Sequence, residues 1–175
     1  MPPDTLELRT DRVATPIGEL IVVADSDGRL RALDWADHEP AMRRLLDRHY
    51  GKGRYGLTPA RDPGRLASTM RRYFKGELAA IDDIEVATGG TEFQRRVWKT
   101  LRKIRSGSTI SYAELARRIG KPAAVRAAGL ANGQNPISIV VPCHRVIGSN
   151  GSLTGYGGGL HRKEWLLAHE GVKIG

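Results

Sequence analysis

Ser111-Tyr112-Ala113-Glu114-Leu115-Ala116-Arg117-Arg118-Ile119-Gly120-Lys121-Pro122-Ala123-Ala124-Val125-Arg126-Ala127-Ala128-Gly129-Leu130-Ala131-Asn132 is the stretch on which the fold turns. Ser111 stands where an N-cap belongs, and Tyr112, Leu115, Ala116 and Ile119 follow at i, i+3, i+4 and i+7, one apolar face of a short helix. Gly120-Lys121-Pro122 makes a turn, and a second helix is expected from about Ala123 to Asn132. Two short helices across a tight, glycine-containing turn are a helix-turn-helix candidate. The second helix offers mostly methyl groups and one long cation, Arg126. Small side chains let a helix backbone come close to its partner, which suits DNA held in a narrow groove by shape and backbone rather than by base edges. The same composition also suits a helix packed into a core, and the helix alone does not separate the two.

Around this centre the second half is helical. Thr91-Glu92-Phe93-Gln94 reads as a capping box, followed by Phe93, Val97, Leu101 and Ile104 on one stripe with Trp98 beside it. Gly133 and Asn135-Pro136 stop the second helix of the pair. Ile137-Ser138-Ile139-Val140-Val141 reads as a buried strand ended by Pro142. Arg145-Val146-Ile147 and Ser152-Leu153-Thr154 flank Ser149-Asn150-Gly151, the pattern of a hairpin. Leu160 to Glu170 is a last helix, closed by Gly171.

The first half reads as a small α/β unit. A strand, turn and strand span Val13 to Ala24, and Arg29 to Trp35 adds another. Ala41 to Tyr50 and Leu66 to Phe74 have helical spacing, and Ala87-Thr88-Gly89-Gly90 is the expected linker. Two domains follow, an α/β unit over 1–87 and a mostly helical unit over 88–175.

Charge divides along the same line. The 175 residues carry 28 Lys and Arg against 19 Asp and Glu, a net of +9. Residues 1–88 hold 14 basic and 15 acidic side chains, whereas residues 89–175 hold 14 basic and 4 acidic, a net of +10. A basic half beside a neutral half is the footprint of a polyanion-binding module. The charged start, Met1 to Thr10, does not read as a secretory signal, and no apolar run is long enough to span a bilayer. A cytoplasmic protein with no membrane association is expected.

The chain has one cysteine, Cys143, which excludes an internal disulfide and a cysteine-rich zinc site. It precedes His144-Arg145 in Val141-Pro142-Cys143-His144-Arg145-Val146. A lone buried cysteine is commonly inert. Here His144 is placed to take a thiol proton, directly or through a water, and basic neighbours favour the nucleophilic thiolate. Glu170 ends a helix where a carboxylate opposes the macrodipole, a broken local rule of the kind that marks function. Packed behind Cys143, it would orient His144 and complete a nucleophile–base–orienter chain.

Pro142-Cys143-His144-Arg145 resembles the active-site motif of the O6-alkylguanine-DNA alkyltransferases, also called methylated-DNA–protein-cysteine methyltransferases. Ser111-Tyr112, the Ala123 to Gly129 helix with Arg126, Asn135-Pro136, Gly155-Tyr156-Gly157-Gly158 and Lys163-Glu164-Trp165-Leu166-Leu167 to Glu170 stand in that family's order. The resemblance is dense over 89–175 and looser before, through Ala14-Thr15-Pro16-Ile17-Gly18 and Tyr73-Phe74-Lys75-Gly76.

The resemblance implies an RNase H-like α/β domain followed by a winged-helix-like one, with Cys143 as alkyl acceptor. It implies that His144 is a base acting through a water, that Glu170 orients it, and that Asn135 ties the turn before the cysteine. Tyr112 would crowd the target phosphate and donate a proton to the leaving guanine, and Arg126 would fill the gap left by the extruded base. Tyr156 would wall the base pocket, with Val146, Gly157 and Gly158 beside it, and Ser149 would be a further DNA contact. The implied partner is double-stranded DNA carrying O6-alkylguanine, and with it O4-alkylthymine, held in the minor groove. A monomer is expected, and cooperative binding along DNA is left open. No metal and no organic cofactor is implied, since the zinc ligands some members carry in the first domain have no cysteine here. Two other readings compete: a helix-turn-helix regulator with a structural cysteine, and a Cys-His hydrolase that turns over.

Overall fold

The computed structural model describes residues 5–173, which divide into one compact unit ending at Gly90 and another beginning at Thr91. The first unit is a four-stranded sheet: β1 (Leu6–Thr15), β2 (Gly18–Asp25), β3 (Leu30–Trp35) and β4 (Tyr55–Pro59), in the order β3-β2-β1-β4. β1 pairs antiparallel with β2 and parallel with β4, so the chain crosses the sheet through α1 (Glu39–Tyr50) before β4 forms. Leu20 to Asp25 are all buried, as expected of a central strand covered on both faces. Ile21 and Val23 pack with Leu8, Ala32 and the α1 residues Met42 and Leu46. α2 (Leu66–Phe74) packs on β1 and β2 and buries Leu66, Ala67, Met70 and Tyr73.

Two expectations for this unit need correction. β4 is absent from the sequence reading; Gly56 and Pro59 weaken its strand signal, and it lies at the sheet edge, where proline is tolerated. The expected linker is partly structure. Leu30 N donates to Glu85 O at 2.9 Å and Ala87 N to Leu30 O at 3.0 Å, so the segment through Ala87 is tied to β3 and the unit ends at Gly90 rather than residue 87.

In the second unit, α3 (Glu92–Leu101) begins with the capping box. Thr91 Oγ1 accepts from Gln94 N at 3.1 Å, and Gln94 Oε1 accepts from Thr91 N at 2.9 Å. Val97, Trp98, Leu101 and Ile104 are buried, and Trp98 Nε1 donates to Ala131 O at 2.8 Å, fastening α3 to the helix pair. That pair is α4 (Tyr112–Arg118), capped by Ser111 Oγ accepting from Glu114 N at 3.0 Å, and α5 (Val125–Gly133). α5 starts two residues later than the sequence predicts, because Lys121 to Ala124 form a turn closed by Ala124 N to Lys121 O at 2.8 Å. α6 (Leu160–His169) ends at Gly171, whose φ of +87° is the left-handed conformation of a helix C-terminus.

The strand expected over Ile137 to Val141 is instead a buried turn. Val140 N donates to Ser138 O at 2.8 Å and Val141 N to Ile137 O at 3.1 Å, so the chain doubles back on itself. Ile139 adopts φ +71°, a costly conformation for a β-branched residue. The apolar run marks burial correctly, but periodicity does not separate a buried strand from a buried turn. The expected hairpin is corrected too. Gly148 N donates to Ser152 O at 2.9 Å, so the turn exists, but 152–154 form no strand. β6 (Val146–Ile147) pairs instead with β5 (Ile110–Ser111), in parallel.

Candidate active site

Cys143, His144 and Arg145 form one 3-10 turn between the Ile137–Val141 turn and β6. Cys143 N donates to Val141 O at 2.8 Å, and the side chain keeps 8% of its surface exposed. Asn135 fixes the preceding turn from both sides. Its Nδ2 donates to Val141 O at 2.7 Å and its Oδ1 accepts from Ile137 N at 2.9 Å. The asparagine thus ties the end of α5 to the backbone two residues before the cysteine.

Behind this turn lies a charged cluster sealed from solvent. His144 Nε2 is 3.0 Å from Glu170 Oε1. Arg145 grips the same carboxylate with both prongs, Nε to Oε1 at 2.8 Å and Nη2 to Oε2 at 2.8 Å, while its Nη1 donates to Ile104 O at 2.6 Å. Burial pushes the Glu170 carboxyl up, but the hydrogen bonds from Arg145 and then His144 outweigh it and hold the group well below the usual carboxylate range. Burial pushes His144 down, against the pull of Glu170, so the imidazole is neutral near pH 7. With Nε2 facing the carboxylate, Nδ1 is the ring atom left to accept a proton, and it has no hydrogen-bond partner among the described residues.

Lys163 is fully buried and donates to Val146 O at 2.7 Å and Thr154 O at 2.8 Å. Burial pushes its ammonium down to about 8, while attraction to Cys143 favours the charged form. By reciprocity the ammonium favours a thiolate at Cys143. Thr154 Oγ1 donates to Tyr112 Oη at 2.8 Å, linking the first residue of α4 to the loop ahead of α6. A methyl group on Gly129 would sit 3.4 Å from Tyr112 Cδ1, so α5 presses its glycine against the phenol ring.

The structure therefore pairs His144 with Glu170, holds the Cys143 backbone on the same Val141 carbonyl that Asn135 grips, and joins Val146 to Thr154, and so to Tyr112, through Lys163. Tyr156, Gly157 and Gly158 lead into α6, Tyr156 half-buried and Gly158 accepting from Arg162 at 3.1 Å. Arg126 and Ser149 are exposed, on α5 and in the 148–152 turn, outside the bonded cluster. Sequence reasoning counted Arg145 only among the basic neighbours favouring the thiolate, whereas its guanidinium grips Glu170, and it gave no role to Lys163 or Thr154. A signal for Lys163 was present: a cation near the N-terminus of α6 opposes the helix macrodipole just as Glu170 does at the other end. Among the described residues no three His, Cys, Asp or Glu side chains converge as metal ligands would. A cleft of about 700 Å³ lined by Arg12, Glu39, Met42 and Arg43 lies in the first unit, where Glu39 is already paired with both arginines.

The chain is similar to known proteins over nearly its whole length. Residues 92–172 match the family profile described as 6-O-methylguanine DNA methyltransferase, DNA binding domain. A methylated-DNA–protein-cysteine methyltransferase of Shigella flexneri is 55% identical over 169 residues, covering 97% of this chain and 99% of that protein. The crystal structure of Mycobacterium tuberculosis O6-methylguanine methyltransferase superposes with a TM-score of 0.75 at 42% identity, covering 95% of this chain and 93% of the other. Mycobacterium tuberculosis OGT in complex with DNA matches with the same TM-score and identity over 94% of this chain and 92% of that one.

Proposed function

Because the chain belongs to the family of methylated-DNA–protein-cysteine methyltransferases, we propose that its repair reaction runs through Cys143 as the alkyl acceptor and the buried network behind it. The protein repairs DNA by transferring an alkyl group from O6-alkylguanine to its own cysteine. The observation that carries the assignment of roles is the cluster in which the one thiol of the chain precedes a sealed His144–Glu170–Arg145 network.

An alkyl carbon on O6 of guanine is reached once the base has left the stack. Neutral His144 takes the thiol proton through a bridging water at Nδ1, and Glu170 bears the imidazolium that forms. The Cys143 thiolate attacks the alkyl carbon in line; the S–C bond forms as the C–O6 bond breaks, and the bonding pair leaves with guanine. Tyr112 supplies the proton the leaving base needs. The product is a thioether with no easy leaving group, so each molecule reacts once. Arg145 keeps the Glu170 charge neutralised in the resting state, which leaves His144 free to accept rather than hold a proton.

Arg126, at the exposed start of α5, fills the gap left by the extruded base. Tyr156, Val146, Gly157 and Gly158 frame the base, and Ser149 contacts the backbone nearby. The near-absence of bulk on α5 and the +10 charge of residues 89–175 support docking of this helix in the minor groove. O4-alkylthymine presents the same alkyl ether and is a second substrate. The order β3-β2-β1-β4 with β1 parallel to β4 supports an RNase H-like first unit, and the helix pair with the β5–β6 ladder supports a winged-helix-like second one. A thiol that must stay reduced fits the cytoplasm.

Intact-mass measurement after mixing with an O6-methylguanine duplex tests the assignment. One methylene increment per chain, absent in Cys143→Ser, is expected. An unmodified wild-type chain overturns it.

A further inference from the structure

Leu130 is 64% exposed, the most exposed of the large apolar side chains among the described residues. A lone surface leucine is ordinary. This one stands on α5 four residues after Arg126, so the two share a helix face. The opposite face, Ala128, Ala131 and Asn132, is buried. Around Leu130 the exposed face is nearly bare: Ala127 offers a methyl group and Gly133 no side chain. Arg126 and Leu130 therefore project from a smooth floor, one cationic and one apolar, with the smaller Val125 at the helix start. The covering partner follows from the charge, because a unit of net +10 that matches a DNA-binding domain meets a polyanion with this helix.

We propose that Leu130 makes the protein sense the base pair beside the lesion, favouring A·T over G·C. The inference rests on the minor-groove docking of α5 given above. On the groove floor an A·T pair presents acceptors alone, whereas G·C adds the 2-amino group of guanine as a donor. Leucine pressed against that amino group strips its water and offers no acceptor in return, which is costly for a buried donor. The acceptors on the floor are common to both pairs, so the amino group alone makes the difference, and A·T lets the leucine sit closer. Four residues of helix rise about 6 Å, against 3.4 Å per base-pair step, so Leu130 falls one or two steps from the position of Arg126.

The test is the second-order rate of transfer to Cys143 on O6-methylguanine duplexes. They carry A·T, G·C or inosine·C one and two steps to either side of the lesion. Inosine lacks the 2-amino group and otherwise pairs like guanine. The readout is the ratio of rates between contexts, which does not depend on the fraction of active protein. At one flanking position the wild type should react about fivefold or more slowly with G·C than with A·T. Inosine·C should restore the faster rate, and Leu130→Ala should bring the ratio close to one. Transfer without any context ratio, or a ratio that survives in Leu130→Ala or is not relieved by inosine, overturns the role of Leu130. Absence of transfer on every duplex and on free O6-benzylguanine overturns instead the functional reading beneath it, and this inference with it.

Discussion

The hydroxyl of Thr154 donates to the phenolic oxygen of Tyr112 at 2.8 Å, across 42 residues of sequence. A phenol oxygen that accepts this bond keeps its own O–H turned elsewhere as a donor. The backbone of Thr154 is held in turn by Lys163, so the positioning hydroxyl is itself fixed.

Thr154→Val should therefore slow alkyl transfer by about tenfold, a part of what a positioned general acid supplies. Thr154→Ser keeps the hydroxyl and should recover most of the rate. The loss in Thr154→Val should shrink on a guanine carrying an electron-withdrawing group at C8, which departs with less help from a proton. Single-turnover rates on both bases make the comparison, and an identical loss on each would contradict a role in protonation.

Arg145→Ala should destabilise the protein by about 3–5 kcal/mol, the usual cost of leaving a buried charge without its partner. Both prongs on Glu170 and the bond to Ile104 O are lost at once. Urea unfolding of wild type and variant measures the difference, and a change below about 1 kcal/mol would show the pair to be unimportant for stability.

The same cluster sets an acid limit. Glu170 is held below its ordinary range, so its contribution to stability is present above the unfolded carboxylate value near 4.5 and is lost as pH falls through the folded one. His144 is also shifted down, so the unfolded chain takes up its proton first and stability falls as pH drops below about 6.5. Both act in one direction, and unfolding midpoints should decline from pH 7 towards pH 4. Glu170→Gln should flatten that decline between pH 5 and 4, and a wild-type midpoint constant over the whole range would contradict both shifts.

Arg126→Ala should lose more rate on duplex DNA than on free O6-benzylguanine, since the side chain is exposed on α5 and stands outside the bonded cluster. Rates on the two substrates give the comparison. Equal losses would place Arg126 in the chemistry rather than in extrusion.

Local signals carried much of the fold. Thr91, Ser111 and Gly171 each announce a helix end through chemistry confined to a few residues, and each end is where that chemistry puts it. The failures share one cause. Whether Ile137 to Val141 is a strand, and whether Val146-Ile147 pairs with 152–154 or with β5, depends on partners distant in sequence. The site divides the same way. Cys143 and His144 stand side by side and could be singled out from the sequence, whereas the tie of Asn135 came only through the family resemblance. The grip of Arg145 on Glu170 and of Lys163 on Thr154 spans elements, and a lone sequence shows only that α6 bears its charges against its dipole.

That reversed charge makes α6 a poor helix in isolation. Its misplaced cation is rewarded by two carbonyls and its misplaced anion by Arg145 and His144, all within the site. The last helix and the chemistry it backs thus form one cooperative unit. Whatever loosens the cysteine's surroundings should be felt as faster hydrogen exchange along α6, so the backbone of this helix reports on whether the site is whole.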